Sequence, residues 1–247
     1  MTPLADIVAE ADRVLASARS AGVPLRLLGG LAIASQVGGA VAPALRRDYE
    51  DIDLATVRGK ARDVAALLTG LGYQADEEFN ALQAGRRLLF YDVGNARKVD
   101  VFCGSFEMCH AIPIADRLDA DARTIPLAEL LLTKLQVVEL NEKDRRDLIA
   151  LLLYAPIGHG DDGEINADVI AELLANDWGL WRTTRMNLDR IREGIVAYEL
   201  NDDERDRVCL QCDALWESIE ARPKSRSWRL RDRVGDRKRW YEVPEEV

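Results

Sequence analysis

The chain predicts an α/β (α+β) fold in which a mixed or antiparallel sheet is flanked by helices and followed by a C-terminal α-helical subdomain. Two observations lead there. Between residues 25 and 103, short apolar runs bounded by glycine, asparagine and aspartate alternate with stretches whose apolar residues recur every three to four positions. From Pro126 onward the pattern is helical almost throughout. With 247 residues, 48% hydrophobic and 31% charged, the chain can bury one sizeable core or two modest ones.

Taken in order, Thr2-Pro3 reads as an N-cap with proline in the first turn, and Leu4, Ile7, Val8, Ala11 and Leu15 give the apolar face of a helix ending near Gly22. Residues 25–28 form a short apolar strand, broken by Gly29-Gly30 and followed by a helix over 31–36. Residues 38–43 are a loop. The next strand covers 51–56, with Asp51 and Asp53 on one face and Ile52 and Leu54 on the other. A helix over 60–71 precedes two strands, 87–93 and 98–103, with Gly94-Asn95 as the turn between them. Helices are expected over 127–140 and 144–154, and a glycine-rich loop over 157–164. Three more helices follow, with Asn166 and Asn201 as N-caps, the second leading into 202–222.

Composition narrows the class of function. No run approaches the roughly 20 apolar residues of a membrane helix, and the N-terminus lacks the basic stretch and apolar core of a signal peptide. The expected compartment is the cytoplasm, without a membrane partner and with reduced cysteines. Cys209 and Cys212 form a CxxC inside a charged helical run; with two histidines in the chain, packing explains the pair better than zinc. The net charge of −10 argues against a general attraction to nucleic acid. It is uneven: residues 222–247 hold nine Lys or Arg against five Asp or Glu, leaving −14 on the first 221. That basic tail reads, in order of preference, as a strand packing back on the body, a tRNA-contacting arm or a disordered end. The five tryptophans, all between 178 and 240, read as helical core ahead of base-stacking platforms.

The residues that carry chemistry are Gly29-Gly30, Arg47, Asp51, Asp53 and an isolated Asp100 between Val99 and Val101. A glycine turn opening a helix offers backbone N–H groups to phosphate oxygens. Asp51 and Asp53 suit Mg2+, with Mn2+ as the alternative, because such ions take oxygen ligands and share their shell with substrate phosphates. Asp100, if it reaches the same face, completes a second metal position and accepts the proton of an attacking hydroxyl. Like charges side by side on a strand repel, so a cation between them is the better explanation of the pair. A solvated strand-end pair is the plainer alternative.

Gly-Gly, a helix, then Arg47-x-x-x-Asp51-Ile52-Asp53-Leu54 and a later apolar-Asp-apolar strand resemble the DNA polymerase beta-like nucleotidyltransferase superfamily. A second block, Leu131-Leu132-Thr133-Lys134-Leu135 and Asp144-Arg145-Arg146-Asp147-Leu148, is most similar to the abortive-infection (AbiE-type) nucleotidyltransferase toxins. The resemblance covers about residues 25–154 and implies transfer of an NMP group from an NTP. It assigns catalytic roles to Asp51, Asp53, Asp100, Lys134 and Asp147. Nucleotide contacts fall to Gly29, Gly30, Arg47 and Lys134, and metal ligation to Asp51, Asp53 and Asp100. Asp147, with Asp144, would hold either the acceptor or the lysine. Two features depart from the pattern: many members have Gly-Ser in place of Gly29-Gly30, and Tyr49 stands where threonine is common.

The implied acceptor is tRNA or protein in a toxin-like role, with an antitoxin as partner. Transfer to an aminoglycoside-type antibiotic and a non-catalytic nucleotide-binding module are the alternatives. The surface readings of these residues are a lysine that snorkels from an apolar face, two acids that favour a helix start, and an exposed arginine. The expected organisation is a nucleotidyltransferase domain over 1–156 that includes the helical segment 126–154, a helical subdomain over 157–222 and a basic tail over 223–247.

Overall fold

A computed structural model describes residues 2–39 and 41–243. The chain folds into two compact units. The first comprises Met1–Ser35, Asp48–Phe106 and Pro113–Pro126; the second comprises Gln36–Arg47, Glu107–Ile112 and Leu127–Val247. The helical segment 126–154 was expected with the N-terminal domain, but from Leu127 it belongs to the second unit. Ala40 of the expected loop and the last four residues of the expected tail lie outside the described residues.

The first unit is built on a mixed five-stranded sheet. Its strands are β1 (Leu25–Leu28), β2 (Ile52–Thr56), β3 (Gln74–Ala75), β4 (Arg87–Asp92) and β5 (Arg97–Cys103), in the order β1-β2-β5-β4-β3. β2 and β5 are parallel; the other pairs are antiparallel. Four helices accompany it: α1 (Ile7–Ser20), α2 (Gly29–Val37), α3 (Ala61–Gly70) and α4 (Glu77–Leu82). α1 and α3 pack on each other and against the strands, and Val14, Ile52, Leu54, Val64, Leu68, Phe90, Val99 and Val101 are fully buried among them.

Local chemistry sets the boundaries. α1 starts at Ile7, later than Thr2-Pro3 suggested, because Asp6 caps it by accepting from Ala9 N at 2.8 Å. The backbone N–H of Leu4 is instead taken by the buried Glu10, which also pairs with Arg13 and accepts from the Tyr73 hydroxyl. β2 begins at Ile52, so Asp51 stands just before the strand and is exposed. β3 and α4 have no counterpart in the expected elements; α4 is capped by Asp76, which accepts from Phe79 N.

The second unit is helical: α5 (Leu127–Leu135), α6 (Glu142–Tyr154), α7 (Ala167–Asn176), α8 (Trp178–Gly194), α9 (Asp202–Ala221) and α10 (Arg226–Asp232). Asn166 and Asn201 cap α7 and α9 as expected, and Asn201 with Glu204 forms a full capping box. α5 stops at Leu135, short of the expected 140. Cys209 and Cys212 lie on α9 as free thiols, with Cys212 fully buried.

The basic tail is neither a strand nor an extended arm as far as it is described. Ser225 caps α10 by accepting from Trp228 N, and Trp228 is buried. Trp178 Nε1 donates to Asp232 at 2.7 Å, and the Arg231 guanidinium lies 4.4 Å from the Trp178 ring centroid. Trp178 and Trp228 are buried in this unit, and the half-buried Trp181 is in ring contact with Trp178, Trp216 and Trp228.

Candidate functional site

The expected residues gather into two clusters, one in each unit. In the first unit, β1 runs directly into α2, and the junction residue Gly29 has φ +66°. Leu28 pairs with Asp53 across β1 and β2, so the Asp53 carboxylate comes to rest at the start of α2. A Cβ on residue 29 would lie 2.0 Å from Asp53 Oδ2 and 2.9 Å from its Cγ. Both the backbone conformation and this contact require glycine. The Asp53 carboxylate thus occupies the space that a side chain on residue 29 would fill.

Asp53 pairs with Asp100 in the register of the parallel strands β2 and β5, which puts the two side chains on the same face as neighbours. Their partners differ. Arg87, which opens β4, donates from Nε to Asp100 Oδ1 at 2.8 Å and from Nη2 to Asp100 Oδ2, a two-pronged pair that engages both carboxylate oxygens. The Arg87 guanidinium also lies 4.8 Å from the Phe102 ring centroid and 5.5 Å from that of Phe79. Arg87 was not singled out from the sequence. The available signal was a charged residue opening the apolar run Leu88-Leu89-Phe90, in the hairpin partner of a strand that carries one lone acid.

These placements narrow the expected metal site. Among the described residues no group of three or more His, Cys, Asp or Glu side chains is arranged to hold a metal ion. Asp51 and Asp53 are two positions apart at the mouth of β2, while Asp100 is engaged by Arg87. The Asp53 carboxylate at a glycine-lined helix start, with the exposed Asp51 two positions before it, fits an ion that completes its shell with water and substrate phosphates rather than an all-protein cage.

The second cluster is a closed charge network on α5 and α6. Lys134 is in the last turn of α5, where a cation is favoured by the helix dipole. Its Nζ contacts Asp144 Oδ1 and Asp147 Oδ2, each at 2.9 Å. Asp144 and Asp147 are i,i+3 on α6 and share one face, and Asn141 fixes the start of that helix by accepting from Asp144 N. Arg47 closes the network from the other side, with Nε to Asp147 Oδ1 and Nη2 to Asp147 Oδ2, both at 2.8 Å.

Asp147 holds the lysine, one of its two sequence readings, and Asp144 shares the task. Burial alone would lower the Lys134 pKa, but the Asp147 and Asp144 carboxylates outweigh it and raise the value. Lys134 therefore stays charged across the neutral range. Arg47, expected on phosphate, is oriented by Asp147.

No protein-family model and no curated protein sequence matches the chain. Among the solved structures that overlap part of its backbone are two of one protein. One is the crystal structure of ANT(2")-Ia in complex with adenylyl-2"-tobramycin, 19% identical, covering 58% of this chain and 86% of that one at a TM-score of 0.41. The other is the antibiotic-resistance factor ANT(2'')-Ia in solution, 18% identical, covering 58% of this chain and 81% of that one, also at 0.41. What this chain does is accordingly read from its own side chains.

Proposed function

We propose that this chain is a metal-dependent nucleotidyltransferase that moves an NMP group from an NTP to an acceptor hydroxyl and releases pyrophosphate. The observation that carries the reading is the seating of the Asp53 carboxylate against Gly29 at the start of α2, one strand away from Asp100. Helix-start N–H groups attract phosphate, yet a phosphate brought there meets a carboxylate. The two anions are compatible only with a cation between them, which is the chemistry of a metal–nucleotide site.

Asp51 and Asp53 would hold Mg2+ or Mn2+, which when bound neutralises charge on the phosphates and on the leaving pyrophosphate. Gly29 and Gly30 keep side chains out of the path of the triphosphate. The acceptor hydroxyl oxygen forms a bond to the α-phosphorus as the bond to the bridging oxygen of the β-phosphate breaks, and its proton passes to Asp100. The Arg87 fork positions that carboxylate. Lys134, with Asp144 and Asp147, braces α5 on α6, and Asp147 fixes the Arg47 guanidinium within the same unit.

The surface favours tRNA as acceptor. Arg226, Arg229 and Arg233 follow one another at helical spacing along α10 and its C-cap and are exposed, and Arg237, Lys238 and Arg239 continue the exposed basic run. In the toxin-like role that the resemblance implies, such transfer arrests growth and requires an antitoxin partner; protein is the other acceptor in that role. The charge of −14 on the first 221 residues favours a second reading, transfer to a polycationic aminoglycoside.

The test is incubation with each labelled NTP and Mg2+, offering tRNA, lysate protein and aminoglycosides in turn. Label is expected on one acceptor class and lost in Asp53→Asn. Undiminished labelling by that variant would sink the mechanism, and nucleotide binding without label on any acceptor would leave a non-catalytic module.

A further inference from the structure

The second unit contains a cleft of about 350 Å³ that plays no part in the function proposed above. Its long wall is one stripe of α6, made by Glu142, Arg145, Arg146 and Ile149, positions that fall on one helical face. Asp144 and Asp147, which hold Lys134, interleave with this stripe. Arg190 and Ile191 of α8 form the facing wall, and Tyr198 and Glu199 line it from the segment that follows.

The charges in the cleft do not cancel. Arg146 Nε donates to Glu142 Oε1 at 3.0 Å, and the Tyr198 hydroxyl donates to Glu142 Oε2 at 3.0 Å, so this carboxylate is committed. Arg190 is held by neutral oxygens, with Nη1 donating to the Val138 carbonyl at 2.7 Å and to Asn187 Oδ1 at 3.0 Å. Among the described residues neither Arg190 nor Arg145 has a carboxylate partner, and Arg145 is exposed. Two uncompensated guanidinium groups, one from each of two helices, thus face one cleft against the single remaining acid Glu199. In a chain of net charge −10, the cleft concentrates positive charge around a cavity, apart from the exposed basic run of the tail.

We propose that this cleft binds a phosphorylated small molecule of mononucleotide size, with its phosphate on Arg145 and Arg190 and its organic body against Ile149, Ile191 and Tyr198. Guanidinium groups match phosphate oxygens through paired N–H donors. The volume is in the range of small-molecule sites, about 300 to 1,000 Å³. Apolar side chains beside the arginines select an organic phosphate over the bare ion.

The test is calorimetric titration of the full chain with AMP in EDTA, which silences any metal-dependent nucleotide site, together with adenosine and inorganic phosphate as competitors. Arg145→Glu is the diagnostic variant, because an exposed side chain without a carboxylate partner is removable at little cost to the fold. AMP is expected to bind the natural chain and Asp53→Asn equally, and to bind Arg145→Glu at least about tenfold more weakly with an unchanged melting temperature. Phosphate is expected to compete, and adenosine to compete far less than AMP.

Absence of AMP binding, equal binding to Arg145→Glu, or adenosine competing as well as AMP would each overturn the proposal. Loss of AMP binding in Asp53→Asn alone would assign the nucleotide to the first unit and overturn it as well. Failure of the transferase reading, by contrast, is scored by label transfer in Asp53→Asn and leaves these outcomes untouched.

Discussion

Replacing Lys134 with methionine removes one cation from a network of two cations and two anions and keeps most of the side-chain volume. The side chains of Lys134, Asp144, Asp147 and Arg47 are only 15%, 12%, 4% and 14% exposed, so the contacts are closer to a buried ion pair than to a surface one. At 2.9 Å and an effective dielectric of about 20, each Lys134 contact is worth about 6 kcal/mol before desolvation is subtracted. Breaking a buried pair costs about 3–5 kcal/mol after that subtraction, against about 0–1 for an exposed pair. The expected loss is therefore about 3 kcal/mol.

The assay is urea denaturation of the full chain followed by tryptophan fluorescence, which reports on the relevant unit because all five tryptophans lie between 178 and 240. Adding Asp144→Asn to Lys134→Met is expected to recover about 1–2 kcal/mol, since the two sites are coupled and the variant removes an uncompensated anion. A loss under about 1 kcal/mol, or no recovery in the double variant, would refute the reasoning. If Lys134→Met kept full stability and only raised the KM for NTP, Lys134 would touch the triphosphate directly. The pH dependence has a definite sign. Because the folded pKa of Lys134 is raised, its contribution is complete below the unfolded value of about 10.5 and is lost as pH rises through the folded one.

Gly29→Ala places a Cβ against Asp53 Oδ2 at a residue with φ +66°. It is expected to cost about 1–2 kcal/mol from the backbone alone and to abolish label transfer; transfer at the natural rate would refute the assigned role of the junction. His110 is buried, with Nε2 2.9 Å from Thr183 Oγ1, which also accepts from Trp240 Nε1 at 3.0 Å. Burial lowers its pKa against the opposing pull of Asp177, so the unfolded chain binds its proton first. Stability is expected to be complete above about pH 6.5 and to fall as pH drops toward the folded pKa, by at most about 1.4 kcal/mol per pH unit. Urea midpoints of His110→Gln that show the same dependence over this range would contradict it.

Elements with a strong single signal were legible in the sequence. The junction of β1 and α2 was marked by Leu25–Leu28 meeting Gly29-Gly30, and α9 by its N-cap Asn201. The tail was not legible. Trp228, Leu230 and Val234 alternate with arginines as in a strand, yet Leu230 and Val234 are exposed, and Trp228 is the one of the three that is buried. What decides its structure is ring contact with tryptophans that belong to other helices, which no local pattern contains. β3 and α4 were missed because two paired residues and a six-residue helix are too short for either period to develop.

The candidate site divides along the same line. The positions of the acids and the pairing of Lys134 with Asp147 could be read from the sequence, but Arg87 and the pairing of Arg47 with Asp147 could not. Arg87 is 13 residues from Asp100, and Arg47 is 100 residues from Asp147. Strand register in one case and helix packing in the other bring them together. The consequence falls on the metal. Asp53 and Asp100, paired across β2 and β5, share one face, and Arg87 is the cation that answers Asp100. The divalent ion proposed above rests not on the number of carboxylates but on their setting: a carboxylate and a phosphate-attracting helix start meet at the space that Gly29 leaves open.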